Sequence, residues 1–472
     1  MSARTLRAVL FAGLACTIAL TSWLILPGSP LRFFAAVLIA LAVPSAWLAW
    51  SRPALPLALY AAVIPFNDLV LVGAGTTSVA KYLGVLAALA LLLGLARSRA
   101  PLRPRPSMIA WWLLTALSVL SAAWALDDTR SAVLTPTFAQ LVAIYTVAAL
   151  YPFTVSDVRW LLGAMILGAS VAGAYATYLY ANAMYLYEDR LYIRTAETAA
   201  DPNQFAAALL VPLAATILIA VASRSIRLKI ALALALSAIL GGIVVSGSRG
   251  ALLATIAAAV YLAVRLRARP EVLAAAAIAI LVTLPVWSFI ANRAAIALSS
   301  GGAGRTDIWR VGAEAFRNHW LVGAGLGAFP SAFDAARLHV SVTHSLEWHR
   351  ASHNLILSYA VELGAVGALL VLWAWWRTFR DAASIPPDRD LFAMRIGVEA
   401  GILALFVASL FLDIMFRKYT WIAFVVIAAV RAAAEPRERP APAASRAVAM
   451  PPSAGHRPIA PSMLSAGAHD TP

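Results

Sequence analysis

The chain has 472 residues, 62% of them hydrophobic and only 12% charged, with a mean hydropathy of +0.81. A soluble domain carries about twice that charged fraction, so a soluble globular fold is excluded. The net charge of +15 sits in short stretches between apolar runs, which argues for membrane orientation rather than a nucleic-acid partner.

Apolar runs long enough to span a bilayer recur along most of the chain. The first, residues 7–26, follows Arg4 and Arg7 but shows no clear small-x-small site before Pro27, so it reads as a retained helix rather than a signal peptide. Its Cys16 is the sole cysteine, which rules out an intramolecular disulfide and a cysteine-built metal site. Further spans are expected at 31–50, 54–72, 79–96, 108–126, 131–150, 157–180, 203–222, 227–245, 249–266, 270–290, 353–376, 393–412 and 417–433. The sequence thus predicts an all-α polytopic membrane protein of about 12–14 transmembrane helices. The run at 54–72 is interrupted by Pro65, Asn67 and Asp68, and a re-entrant pair would lower the count.

Basic residues set the orientation. With the N-terminus in the cytoplasm, the cytoplasmic connections hold Arg52, the Arg97–Arg105 cluster, Arg224 to Lys229, Arg265 to Arg269, Arg377 to Arg389, and Arg431 onward. Opposite connections such as Asp127-Asp128-Thr129-Arg130 are short and poorly charged. Two longer loops, 181–202 and 291–352, fall on the outer side, where the charge rule is weak. The organisation reads as N-terminal membrane helices over 1–200, a catalytic membrane region over 201–433 that includes the outer loop, and a Pro/Ala/Ser/Arg-rich tail over 434–472 expected to be disordered and cytoplasmic.

The outer loop is mildly basic. A flexible stretch from Ser299 to Gly304 leads to Arg305. The segment Asp307 to Trp320 is expected to be helical, with Ile308, Val311, Ala315 and Trp320 on one face. Closely spaced glycines at 323–327 break it, and Pro330 to Arg350 is expected to be partly helical. His349 and His353 stand four apart, which on a helix would place them on one face. Spacing alone does not make a metal site, and neither metal nor cofactor is expected.

Four motifs in order, Ser-Arg-Gly-Ala at 248–251, Gly-Arg-x-x-Ile-Trp at 304–309, Val-Gly-x-Gly-x-Gly-x-Phe at 322–329 and His-Asn-x-x-Leu…Glu-x-Gly-x-x-Gly at 353–367, resemble the O-antigen ligase and polymerase family. Asp201-Pro202-Asn203 also looks like that family, and the resemblance covers about residues 200–375. It implies a bacterial inner-membrane glycosyltransferase of C-type architecture, with its active site facing the periplasm. It implies a glycan donor linked to undecaprenyl pyrophosphate, and an acceptor that is lipid A–core, another glycan chain or a protein. His353 would then be the general base on the acceptor hydroxyl.

The residue chemistry points the same way. Arg249, Arg305 and His353 reach one face under this topology, and guanidinium groups suit pyrophosphate oxygens where no clustered acidic pair offers a metal seat. Transfer would be metal-independent and inverting, since no carboxylate nucleophile is evident for a two-step route. The bland alternatives are that Arg249 snorkels to the interface, that Arg305 pairs with Asp307, and that His353 merely starts a helix beside a capping Asn354. Secondary candidates are Asp201, Asn203, Arg310, Asn354 and Glu362. Glu362 would lie well within the membrane if its helix is straight, as a functional carboxylate or a helix-packing group. The cluster Tyr175, Tyr178, Tyr180, Tyr185, Tyr187 and Tyr192 reads best as an interfacial belt, with a platform for sugar rings or the polyprenyl chain as the alternative. A transporter or flippase of lipid-linked glycans is the competing class. It would favour inverted repeats and a charged midplane path, whereas the polar residues here gather at one outer face. A protein O-oligosaccharyltransferase would share the motifs, so the acceptor stays open.

Overall fold

A computed structural model of the chain describes residues 47, 49–68, 79–98, 100–182, 186–187, 190–191, 201–266, 305–343, 347–385 and 389–435. The spans expected at 7–26 and 270–290, nearly all of that at 31–50, the loop start at 291–304 and nearly the whole tail lie outside the described residues.

The described chain is helical. In order come α1 (Ala54–Val63), a 3-10 turn (Ile64–Asp68), α2 (Val79–Arg97), α3 (Pro106–Ser121), α4 (Asp128–Leu150) and α5 (Val155–Ala181). A two-residue antiparallel ladder, β1 (Leu186–Tyr187) with β2 (Arg190–Leu191), follows. Then come α6 (Pro202–Ala208), α7 (Leu210–Ala222), α8 (Ile226–Val245), α9 (Arg249–Leu266), α10 (Arg305–Asn318), α11 (Phe329–Arg337), α12 (Leu355–Ala383), α13 (Arg389–Ser409) and α14 (Lys418–Ala434). Eight of the described helices are long and apolar enough to cross a membrane, with α6 and α7 counted as one crossing. They match the expected spans to within a few residues at most ends. The run at 54–72 is the clearest difference: ten helical residues end in a 3-10 turn at Ile64-Pro65, shorter than a crossing needs.

Apolar composition on every face, rather than a stripe, is what a buried membrane helix requires. The outer helices present bare apolar side chains, among them Leu234, Val264 and Leu369, as lipid-facing surfaces do. α14 is the reverse: every residue from Tyr419 to Val430 is buried, against α4, α5, α12 and α13. Trp111, Phe138, Tyr145 and Trp375 pack around its Trp421 and Phe424, and Phe406 packs on Trp375. α7 and α9 both pack on α13, and α8 packs on α5 with Gly242 against Gly173, where small residues let two backbones approach.

The loop helices are positioned by a break in α12. Gly364 has φ +69° and interrupts that helix, so its first nine residues form a separate half-helix. The carbonyls freed by the break are not orphaned. The Val361 carbonyl accepts from the Ala324 N–H (2.9 Å), the Glu362 carbonyl from Gly325 (2.8 Å), and the Ala365 N–H donates to the Trp320 carbonyl (2.7 Å). Segment 320–325 is thereby stitched along the broken helix, as irregular backbone inside a membrane protein must be. The contact is too close for side chains: a Cβ on Gly323 or Gly364 would fall within 2.2 Å of the facing backbone. α10 ends at Asn318, so Trp320 leaves the face that Ile308, Val311 and Ala315 bury and is exposed.

Candidate functional site

Nearly all the candidates fall at one end of the bundle. Arg249 opens α9, Arg305 opens α10, Asp201 precedes α6, and His353 and Asn354 precede α12. Arg305, Asp201, His353 and Asn354, together with Gly250 beside Arg249, meet at the turn from Leu410 to Arg417 between α13 and α14, which lies outside the four motifs.

Phe411 of that turn is the first meeting point. The start of α9 packs on it, with Gly250 placed so that a Cβ would lie 3.2 Å from the Phe411 side chain. The Arg305 guanidinium stands 6.0 Å from the Phe411 ring centre, and the Trp309 ring 6.3 Å from it. Trp309 Nε1 then donates to the Ser352 carbonyl at 3.1 Å. The Ser-Arg-Gly motif, the Gly-Arg-x-x-Ile-Trp motif and the residue before His353 are therefore joined through one aromatic side chain.

Asp413 is the second. Its Oδ1 accepts from Ser352 Oγ at 3.1 Å, and its carbonyl accepts from Gln204 Nε2 at 3.1 Å. Gln204 Oε1 in turn accepts from the Tyr419 hydroxyl at 2.5 Å. Asn354 ties the same turn from the other side: its Nδ2 donates to the Leu410 carbonyl (3.1 Å) while its Oδ1 accepts from the Leu357 N–H (2.9 Å) and caps α12.

His353 is largely buried between these groups with φ +48°, a left-handed conformation that a residue with a Cβ seldom adopts. Burial holds its imidazole below the ordinary 6.5. The Asp413 carboxylate opposes that shift, Arg305 adds to it, Asp201 opposes it and Arg350 adds to it. The net result is an imidazole that stays neutral, and able to accept a proton, at ordinary pH.

Beside His353 lies a cavity of about 390 Å³. Asp201, Gln204, Phe329, Tyr359, Glu362 and Asp413 line it, with Arg130 and Arg417 at exposed positions. Arg249, Arg305, Asn203, Arg310 and Asn354 do not line it. Asp201 caps α6, its Oδ1 accepting from both the N–H (2.8 Å) and the side-chain amide (2.9 Å) of Asn203. Arg310 points elsewhere and pairs with Asp307 at 3.6 Å. Glu362 takes hydrogen bonds from the backbone N–H groups of Gly327 and Phe329, so its carboxylate caps α11 and fastens the glycine motif to α12. The helix carrying Glu362 is broken rather than straight, and its partners are these N–H groups rather than the Gly364/Gly367 region.

The remaining histidines separate from the site. His349 also has positive φ (+56°), so 349 and 353 do not share a helical face; the helix starts only at Leu355. His349 Nδ1 pairs with Asp334 Oδ2 at 2.5 Å and pins the approach segment to α11. His339 is exposed, and His344 lies outside the described residues, as do the side chain of Asp68 and Tyr185 and Tyr192 of the tyrosine cluster. Tyr175 and Tyr178 are exposed near the end of α5, as belt residues are. Among the described residues no group of three or more His, Cys, Asp or Glu is placed to hold a metal ion.

A lone carboxylate between two apolar runs, Asp413-Ile414-Met415-Phe416-Arg417, was the available signal for the missed turn. Gln204 offered none, because an amide inside an apolar run is commonly a helix-packing group.

The fold and this polar end define a multi-pass membrane protein with a buried, titratable site at one end of its helices. Residues 232–372, which hold all four motifs, match the family model described as O-antigen ligase, and this supports the resemblance to the O-antigen ligase and polymerase family. No curated protein matches the chain. Asp201, Gln204 and the turn at 410–417 lie outside the matched stretch.

Proposed function

We propose that the chain transfers a glycan from undecaprenyl pyrophosphate to an acceptor hydroxyl at the periplasmic face of the bacterial inner membrane. The observation that carries this reading is the convergence on the Phe411–Asp413 turn of Arg305, His353 and the start of α9, where Gly250 follows Arg249, from three separate parts of the chain. Arg249 and Arg305 stabilise the pyrophosphate as its bond to the anomeric carbon breaks, because a guanidinium stays charged and pairs with phosphate oxygens through two parallel donors. Neutral His353 takes the proton from the acceptor hydroxyl as its oxygen bonds to the same carbon. Asp413 and Asp201 then stabilise the imidazolium that forms. A single displacement of this kind inverts the anomeric configuration. Two arginines supply the counter-charge that a divalent cation supplies elsewhere, so transfer proceeds in excess chelator.

Purified full-length protein in lipid, given lipid-linked glycan and a candidate acceptor in chelator, tests the reading directly. The expected product is an inverted glycosidic linkage. A retained configuration, or strict need for a divalent ion, contradicts the mechanism. Cysteines placed at Ser300 and Ser345 in a Cys16→Ser background test the side. Labelling from the periplasm supports it, and labelling only after permeabilisation overturns it.

A further inference from the structure

Tyr359 lies on the α12 half-helix, six residues beyond His353, and forms part of the cavity wall. It is 2% exposed, and its hydroxyl has no hydrogen-bond partner among the described residues. Buried hydroxyls are nearly always paired, because an unpaired one is a net cost to the fold. The nearby Glu362 and Asp413 carboxylates are already engaged, Glu362 by two backbone N–H groups and Asp413 by Ser352. Tyr359 is thus a donor held in place at a cavity, next to acceptors.

The cavity is also chemically unlike the other side of His353. Arg305 stands by Phe411, Gly250 next to Arg249 packs on the same ring, and neither arginine lines the cavity. Its wall instead has three carboxylates, from Asp201, Glu362 and Asp413, with the rings of Phe329 and Tyr359, and Arg130 and Arg417 toward solvent. Carboxylates accept from sugar hydroxyls and repel phosphate, and aromatic rings cover the apolar faces of sugars. Its size is at the lower end for small-molecule sites, which run from about 300 Å³.

We propose that this cavity seats the acceptor sugar, a hydroxyl-rich glycan without phosphate groups, and that Tyr359 donates its phenolic O–H to an oxygen of that sugar. The inference rests on the glycan-transfer reading and divides the two substrates across His353, with pyrophosphate on the Phe411 side and acceptor on the Tyr359 side.

The test measures binding to the full-length protein in lipid nanodiscs, so that it does not depend on turnover. The probes are the oligosaccharide released from the strain's lipid-linked donor by mild acid, its lipopolysaccharide core after deacylation and dephosphorylation, and inorganic pyrophosphate. At least one of the two sugars is expected to bind wild type and not be displaced by pyrophosphate. Tyr359→Phe is expected to weaken that sugar at least tenfold and leave pyrophosphate affinity unchanged. It should also leave the melting midpoint equal or higher, since the variant removes an unpaired hydroxyl and keeps the ring. Asp201→Asn is expected to weaken the sugar in the same direction. Unchanged sugar affinity in Tyr359→Phe, no sugar binding to wild type, or displacement of sugar by pyrophosphate each overturns the assignment. A lowered melting midpoint makes Tyr359 a packing residue and overturns it too. Failure of wild type to transfer glycan at all would sink the glycan-transfer reading instead, a result the binding data do not depend on.

Discussion

The two ends of the helical bundle both bury carboxylates and treat them differently. At the end away from His353, Asp381 is paired with Arg431 (2.7 Å) and is hydrogen-bonded by Ser107, whose hydroxyl also meets Tyr145 at 2.7 Å. Glu399 there is paired with Arg395 (2.8 Å) and Arg265 (3.6 Å) and takes a bond from Tyr261 at 2.5 Å. At the His353 end, Asp413 takes a serine hydroxyl, Asp201 an asparagine amide and Glu362 two backbone N–H groups, and all three line a cavity. Charge neutralised by a guanidinium holds helices together. Charge held by neutral donors beside a cavity is what the proposed acceptor seat requires.

That contrast predicts opposite consequences for single substitutions. The largest effect is expected from His353→Ala: transfer falls by about 10²–10⁴-fold, the usual contribution of a general base, while the melting midpoint stays near wild type. Arg431→Ala should do the reverse, leaving Asp381 buried without its guanidinium. It should cost about 3 kcal/mol of stability while the rate per folded molecule survives. Parallel melting and turnover measurements on both variants check this, and a fall in the same quantity for both would erase the distinction.

Arg249→Ala and Arg305→Ala come next. Both should express normally and lose most transfer, and lysine at either position should restore only part of it, because an ammonium lacks the planar fork. Turnover equal to wild type at equal protein level would return both residues to interface anchors.

A third comparison uses pH. The imidazole of His353 lies below 6.5, so transfer should hold at neutral pH and fall along an acid limb whose midpoint is below 6.5. Asp413 raises that midpoint, so Asp413→Asn should move the limb to lower pH and also slow the plateau. A limb that moves upward, or one unchanged in His353→Ala, would detach the profile from this histidine. The smallest effect is expected at His349: its pair with Asp334 is exposed, so His349→Ala should cost under about 1 kcal/mol and change the rate less than about fivefold.

Much of this was readable from residue order. Long apolar runs gave most of the helices, because membrane length and composition constrain a span so tightly. The helix over 305–318 was visible as apolar periodicity. The break at Gly364 was not: Glu-Leu-Gly-Ala-Val-Gly is as compatible with a continuous membrane helix as with an interrupted one, and what decides is the backbone of residues 320–325 beside it. For the same reason Glu362 read as an intramembrane suspect, when its fixed partners lie on Gly327 and Phe329, more than 30 positions earlier. Arg249, Arg305 and His353 could be singled out as candidates because their motifs are local. Asp413 and Gln204 act through contacts about 60 and 200 residues away in sequence, and no local pattern encodes those.

The burial of α14 bears on how the protein is made. This helix is the last of those described to leave the ribosome, yet it fills the middle of the bundle, and the turn just before it carries Phe411 and Asp413. Until α13 and α14 have entered the membrane, the helices already inserted surround an unfilled gap, and Arg305 and His353 have nothing to converge on. The proposed site is therefore expected to assemble only once α13 and α14 are in place. A chain cut short before residue 410 would be retained in the membrane as an open bundle for proteases to find.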